Sequence, residues 1–168
     1  MVTYMGRVFD VLVIGATVSG LTCATELANH GVVVGVLDPN PEYVSTMVGH
    51  GIATIGTGEL APLAEFSADL PFKRMRALQR GINYIAQLAT SFDVPHRWLE
   101  VRVRSLKAND ALEEERAILQ DAGVNIRLAR RQPFPVRLET GWKLPNQLMV
   151  DPDDYAIALH DAAAIAGV

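Results

Sequence analysis

Two glycines and an aspartate in the first 38 residues have the types and the spacing to hold a nucleotide. Gly15 ends a short apolar run, Gly20 follows five residues later, and Asp38 comes 23 residues after Gly15. A glycine turn that leads into a helix presents backbone N–H groups and the positive end of the helix dipole to phosphate oxygens. A carboxylate at the end of the next strand accepts hydrogen bonds from ribose hydroxyls. The pattern is typical of a dinucleotide-binding turn.

The elements that must position these residues are a strand, a helix and a second strand. Residues 9–14, FDVLVI, are an apolar run rich in β-branched side chains, as in buried parallel strands. In the helix that follows, Ala24 shares a face with Gly20, and Gly31 suits the left-handed position after the last turn. Residues 32–37 then form a second apolar run. The sequence therefore predicts a strand–helix–strand unit of the Rossmann type.

Thr17 stands where the pattern G-x-G-x-x-G has its second glycine. That glycine normally lets the backbone approach the phosphates, so we expect the β-branched side chain to crowd them, unless its hydroxyl is itself a phosphate ligand. The rest of the pattern is in place, which favours a dinucleotide site. The alternative is an ordinary strand–helix–strand unit in which the glycine pair is accidental.

The size, charge and cysteine content of the chain limit its class. It has 168 residues, enough for about one domain, and a net charge of −4 that disfavours a nucleic-acid surface. No uninterrupted apolar stretch reaches about 18 residues, so we expect no membrane span. Cys23, the single cysteine, indicates a reducing, cytoplasmic location, and we expect a small, buried side chain. The scattered histidines indicate no metal site.

The remainder of the chain alternates helical and strand-like patterns after a Gly/Ser/Thr-rich loop at 44–58. The predicted elements are a helix at 72–92, a half-buried strand at 98–106, a helix at 111–121, short strands at 124–128, 136–138 and 148–150, and a last helix at 151–166 with Asp151 as its N-cap. This order predicts an α/β fold with a parallel dinucleotide-binding sheet and part of a second, mainly antiparallel sheet.

Four stretches, in this order, carry a resemblance to a known family. They are the glycine turn with its acid (Gly15 to Asp38), the loop STMVGHGI (45–52), a strand and helix that end in Ala-Gly-Val (98–124), and the stretch with Val-Asp-Pro and a final Gly-Val (145–168). Together they resemble the N-terminal part of the flavoprotein family that includes D-amino-acid oxidase, glycine oxidase, sarcosine oxidase and glycerol-3-phosphate dehydrogenase.

The resemblance implies FAD rather than NAD as the cofactor. The residues that it assigns to FAD are Gly15, Thr17, Ser19 and Gly20 at the pyrophosphate, Asp38 at the adenosine ribose, and Ser45, Thr46, Gly49, His50 and Gly51 on the flavin side. Some relatives tether the flavin covalently through a histidine near the position of His50, but the neighbouring residues here do not match that pattern closely. No catalytic residue is assigned.

The resemblance also implies an activity and a domain organisation. The activity is that of an FAD-dependent oxidoreductase of the D-amino-acid oxidase type, in which an amine, amino acid or hydroxy acid gives a hydride to the flavin. The implied domains are an FAD-binding βαβ unit with its flavin loop at 1–60, a partial substrate or cap region at 61–150, and a helix returning to the FAD-binding domain at 151–168.

The length of the chain leaves other interpretations open. Members of the family are much longer, so we expect either a fragment or a truncated product that is inactive alone, with a homo-oligomer or a missing C-terminal half as its partner. One alternative function is a non-catalytic dinucleotide-binding module, or a subunit completed by another chain. The other is an NAD-binding Rossmann domain.

Overall fold

The structure is a computed structural model that describes residues 2–4, 7–39, 51–54, 60–105, 110–128 and 140–168. Strands and helices alternate along these ranges. In chain order they are β1 (Val2–Tyr4), β2 (Arg7–Phe9), β3 (Val11–Ile14), α1 (Val18–Asn29), β4 (Val34–Leu37), β5 (Ile52–Ala53), α2 (Leu60–Ala64), α3 (Leu70–Ser91), β6 (His96–Ser105), α4 (Asp110–Asp121), β7 (Arg127–Leu128), β8 (Thr140–Val150) and α5 (Pro152–Ile165).

The chain divides into two compact units, each built from separated segments. The first unit comprises Met1–Gly51, Leu88–Pro95 and Val150–Val168. The second unit comprises Ile52–Gln87 and His96–Met149. The chain therefore leaves the first unit after Gly51, re-enters it at Leu88–Pro95, and returns to it for the last time at Val150, the last residue of β8.

The sheet of the first unit contains the parallel pair that the sequence predicts. Strands β3 and β4 lie side by side, with Ile14 opposite Leu37 at their carboxyl ends. The predicted strand at 9–14 is interrupted at Asp10, whose Oδ2 accepts a hydrogen bond of 3.1 Å from the backbone N–H of Val33. The preceding strand β2 pairs antiparallel with β1 instead.

Helix α1 packs against β3, β4 and α5 in the first unit. Its core face carries Leu21 and Ala24, which are fully or almost fully buried, and α5 contributes Ala163 and Leu159. Small side chains at such a contact let two helices approach closely, because the distance between helix axes depends on the residues at the crossing. Cys23 lies beside Ala24 but on the outer face of α1, so it is exposed and our expectation of a buried side chain is wrong.

Helix α5 begins as the sequence predicts. Asp151 is its N-cap, and the Oδ1 atom accepts hydrogen bonds of 3.1 Å from the backbone N–H groups of Asp153 and Asp154. Pro152 follows in the first turn, where its missing N–H removes no helical hydrogen bond. The two-residue motif therefore fixes the start of the helix by local chemistry.

The second unit packs helices against a four-stranded sheet in which β8 pairs with β5, β6 and β7. Its core consists of buried side chains from α2, α3, α4 and β8, namely Leu60, Met75, Leu119, Trp142 and Leu144. Val101 and Val103 of β6 pack against this core, and the alternate residue Arg102 is exposed. The period-two pattern of β6 thus separates a core face from a solvent face, as predicted.

Some elements differ from the sequence-based prediction. Strand β5 falls in the predicted loop at 44–58, helix α2 falls in a stretch for which no element was predicted, and the strand predicted at 148–150 begins at Thr140. The strand predicted at 124–128 is reduced to Arg127–Leu128. The candidate strand at 136–138 lies outside the described residues.

Candidate functional site

Gly15 makes the turn between β3 and α1. Its φ angle is +100°, a conformation that L side chains rarely adopt. Its backbone N–H donates a hydrogen bond of 2.7 Å to the carbonyl oxygen of Leu37, the last residue of β4. The turn is thereby attached to the carboxyl ends of both parallel strands.

Gly20 lies in the first turn of α1, directly against the Gly15 turn. A Cβ atom built on Gly20 would stand 2.1 Å from the carbonyl oxygen of Gly15, far inside van der Waals contact. No side chain fits without moving the backbone. The sequence-based role of Gly20, close packing of the helix on the preceding turn, therefore has a direct structural basis.

Thr17 is the N-cap of α1. Its Oγ1 atom accepts a hydrogen bond of 3.1 Å from the backbone N–H of Gly20, and its carbonyl oxygen accepts one of 2.8 Å from Leu21 N–H. Its φ angle of −74° is ordinary for an L residue, so the backbone at this position does not require glycine. The hydroxyl satisfies one of the N–H groups that a helix start leaves without an intrahelical partner.

Asp38 closes the site from the other strand. Its Oδ2 atom accepts a hydrogen bond of 2.6 Å from the backbone N–H of Ala16, and the side chain is half-buried. Hydrogen bonds to a carboxylate are shorter and stronger than those between neutral groups. The acid and the glycine turn, 22 residues apart in the chain, are therefore joined into one structure.

Of the remaining predicted site residues, the structure describes Ser19 and Gly51. Ser19 is exposed in the first turn of α1. Gly51 is buried with a φ angle of +61°, and a Cβ atom there would stand 2.1 Å from the carbonyl oxygen of Val150. The other members of the flavin-side group lie outside the described residues: Ser45, Thr46, Gly49 and His50.

The surface around the turn suits a phosphate joined to a flat apolar group. The first turn of α1 contains no acidic residue that would oppose an anion. Ile14 is 78% exposed and its neighbour across the sheet, Leu37, is 37% exposed. Large apolar side chains left open at the carboxyl end of a parallel sheet are suited to covering by a bound ligand.

Two other features are absent from the described residues. No group of three or more His, Cys, Asp or Glu side chains is arranged to hold a metal ion in that part of the chain. The described helices include none with the length and hydropathy needed to cross a membrane.

Comparison with known protein families identifies the family of the chain. Residues 10–168 match the family described as FAD dependent oxidoreductase. The chain belongs to this family. The resemblance seen in the sequence, the α/β fold class and the predicted cofactor, FAD, are thereby confirmed. No curated protein sequence matches the chain significantly.

Solved structures with the same fold include three with different named activities. L-proline dehydrogenase from P. horikoshii superposes with a TM-score of 0.74 at 16% identity, over 95% of this chain and 42% of that chain. Glycine oxidase from Geobacillus kaustophilus gives 0.65 at 21% identity, over 95% and 45%. The FAD-bound L-alpha-glycerophosphate oxidase from Mycoplasma pneumoniae gives 0.60 at 17%, over 95% and 43%. The chain thus spans less than half the length of each.

The residues present fit FAD. Gly20, packed directly on the Gly15 turn, the left-handed Gly15 and the carboxylate of Asp38 form a cradle at the start of α1. Such a cradle offers N–H donors to a pyrophosphate and an acceptor to a ribose.

Proposed function

We propose that the chain forms the FAD-binding region of an oxidoreductase of the D-amino-acid oxidase type, which removes a hydride from the carbon next to an amine or a hydroxyl group. The observation that carries this proposal is the closed turn in which Ala16 N–H is bonded to Asp38 Oδ2. The names proline dehydrogenase, glycine oxidase and glycerophosphate oxidase among the similar structures support an amino acid, amine or hydroxy acid as the substrate.

The start of α1 is the part of the site that we assign to the pyrophosphate. Its N–H groups and the positive end of its dipole attract phosphate oxygens. The hydroxyl of Thr17 accepts a hydrogen bond from the N–H of Gly20 and so orders this end of the helix. The exposed hydroxyl of Ser19 offers one further hydrogen-bond donor. These residues bind and orient the cofactor and take no part in bond breaking.

Asp38 is the residue that we assign to the adenosine ribose. The hydrogen bond from Ala16 N–H to Oδ2 holds the carboxylate at the end of β4. An ionised carboxylate has about four lone-pair sites, so it can also accept hydrogen bonds from ribose hydroxyls. Asp38 then links the ribose and the phosphate-binding turn.

The flavin side of the site is assigned to the segment that runs from Ser45 through Gly51. When bound, FAD supplies the acceptor for the hydride. Gly51 is the described residue of this group, and its carbonyl oxygen accepts a hydrogen bond of 2.8 Å from the N–H of Val150, the last residue of β8. This contact fixes the end of the segment in the first unit.

Titration of the purified protein with FAD tests the proposal. We expect flavin absorption bands on the bound protein, and bleaching of those bands by an amino acid, amine or hydroxy acid under anaerobic conditions when the C-terminal half expected from the sequence is also supplied. Asp38→Ala removes the carboxylate and should weaken FAD binding by about 1–3 kcal/mol, the range for charge-assisted hydrogen bonds. Asp38→Asn keeps an acceptor for Ala16 N–H and should have an intermediate affinity.

The control for this titration is Asp121→Ala, which removes an exposed carboxylate at the end of α4. Equal FAD affinity in Asp38→Ala and Asp121→Ala would exclude the assigned role of Asp38. Bound flavin that no substrate of these classes bleaches, even with the C-terminal half supplied, would instead support a non-catalytic dinucleotide-binding module. Binding of NAD in place of FAD would support the Rossmann alternative.

A further inference from the structure

A second concave site lies in the second unit, and none of its residues belongs to the glycine turn. It is a cavity of about 460 Å³ between α3, the residues that follow α4, and the middle of β8. Cavities of about 300–1,000 Å³ are typical of small-molecule sites. The size therefore allows a small organic ligand.

The wall formed by α3 is strongly basic. Arg76 and Arg80 line the cavity one helical turn apart, and both are exposed. No acidic side chain is among the residues that line the cavity. The local charge of the site is thus opposite in sign to the net charge of the chain, −4.

The two arginines differ from the other cations near the start of α3. Lys73 forms an ion pair with Asp69, whereas Arg76 and Arg80 have no ion-pair or hydrogen-bond partner in the part of the chain that the structure describes. Like charges at positions i and i+4 of a helix repel each other. An anion bound between the two guanidinium groups would replace this repulsion by two attractive contacts.

The rest of the cavity is lined by amide and apolar groups. Gln79, Asn125 and Asn146 supply side-chain amides, and the Nε2 atom of Gln79 donates a hydrogen bond of 3.3 Å to Asn83. Met75 and Val124 supply apolar surface. Amide donors suit oxygen atoms and apolar surface suits a carbon skeleton, so the lining favours an organic anion over a bare inorganic one.

We propose that this cavity binds a small organic anion with two negative charges, carried by carboxylate or phosphate groups. Side chains four residues apart on a helix have Cβ atoms about 5–6 Å apart. Arg76 and Arg80 therefore reach either the two ends of a short dicarboxylate or two oxygens of one phosphate group. This binding is independent of the site in the first unit.

Calorimetric titration of the purified protein with succinate, glutarate and a simple phosphate monoester tests the proposal and distinguishes the two carriers of charge. We expect saturable binding of at least one of them, weakened roughly 10-fold or more by Arg76→Gln or Arg80→Gln. The matched control is Arg74→Gln, which removes the same charge from an exposed position of the same helix that does not line the cavity.

The outcomes are separable because all three arginines are exposed and circular dichroism checks that each variant stays folded. Loss of binding in Arg76→Gln and Arg80→Gln, with binding retained in Arg74→Gln, supports a specific site. Equal weakening in all three variants would show only general attraction to a basic helix and would overturn the proposal. Failure of the parent protein to bind any of the three compounds at low ionic strength would also overturn it.

Discussion

The hydroxyl of Thr17 gives the start of α1 a side-chain cap at the position where the dinucleotide pattern has a glycine. It accepts the N–H of Gly20, and the backbone of Thr17 is in an ordinary extended conformation. From the sequence we expected a side chain that crowds the phosphates or binds them. The cap is a third role, which depends on a distance of 3.1 Å that composition alone does not give.

Substitution of Thr17 separates capping from cofactor binding. Thr17→Ala should lower the free energy of unfolding by about 0.5–2 kcal/mol because the cap is lost, whereas Thr17→Gly should lower it by only a few tenths. Thr17→Ser keeps the hydroxyl and is the control. Urea denaturation measures these changes. We expect Thr17→Gly to bind FAD at least as tightly as the parent, and a clear loss of affinity would show that the hydroxyl contacts a phosphate.

The sequence allowed a candidate site residue to be predicted where the backbone conformation or packing accepts only one residue type. Gly15 and Gly20 were identified because a positive φ angle and a missing Cβ each require glycine. The hydrogen bond between Ala16 N–H and Asp38 could not be predicted from the sequence. An alanine does not indicate such a contact, and the contact depends on the register of β3 against β4. The exposure of Ile14 is likewise a property of the assembled sheet.

At the scale of helices and strands, the predictable elements were those fixed by local signals. The aspartate–proline start of α5 and the glycine at the end of α1 fall where expected. Helix α2 was missed because Leu60–Ala64 is too short to show a helical period. Strand β8 was underestimated because Pro145 and Asn146, the latter with a φ angle of 57°, interrupt its alternation without ending it.

Two helical glycines allow a matched test of helix packing. Gly20 of α1 has no room for a Cβ atom, whereas nothing lies within 4 Å of a Cβ atom built on Gly81 of α3. Gly20→Ala should destabilise the protein and reduce FAD binding, because the helix must move off the Gly15 turn. Gly81→Ala should raise the free energy of unfolding by up to about 1 kcal/mol, the difference in helix propensity.

Thermal unfolding and flavin titration of both variants provide the measurement. The packing argument requires opposite signs of the stability change for the two substitutions. A Gly20→Ala protein as stable as the parent would mean that α1 can shift without cost.

An ion pair on the solvent face of the sheet in the second unit should make the stability of the protein depend on pH. Lys143 of β8 lies 2.7 Å from Glu100 of β6. The hydrogen bond that Lys143 donates to Glu100, together with the charges of Lys143, Arg102 and Arg127, holds the pKa of Glu100 below its usual range. A carboxyl whose pKa is lower in the folded state stabilises the protein above its unfolded pKa, and this contribution is lost as the pH falls towards the folded value.

We therefore expect the free energy of unfolding to fall on acidification through the usual glutamate range, by less than about 1 kcal/mol for this pair because it is partly exposed. Glu100→Gln should reduce that fall. Glu114→Gln, which changes an exposed glutamate of α4, is the control. Urea denaturation over a series of pH values makes the comparison, and identical pH profiles for the two variants would contradict the assignment.

At the scale of the whole molecule, the division into two units agrees with the mixed parallel and antiparallel fold predicted from the sequence. The positions at which the chain passes from one unit to the other were not predicted, because two of them lie inside α3 and β8, which each contribute residues to both units. Hydrophobic periodicity reports which face of an element is buried and does not report which unit covers it. The family match covers residues 10–168 and so includes both units.

The burial of Trp142 has a spectroscopic consequence. The chain has two tryptophans, Trp98 and Trp142, and both belong to the second unit. Trp142 is 1% exposed and Trp98 is 50% exposed. Tryptophan fluorescence therefore comes from one buried and one solvent-exposed indole ring, both in the second unit. Intrinsic fluorescence follows the unfolding of the second unit, while the unfolding of the first unit is followed by a label on the exposed thiol of Cys23.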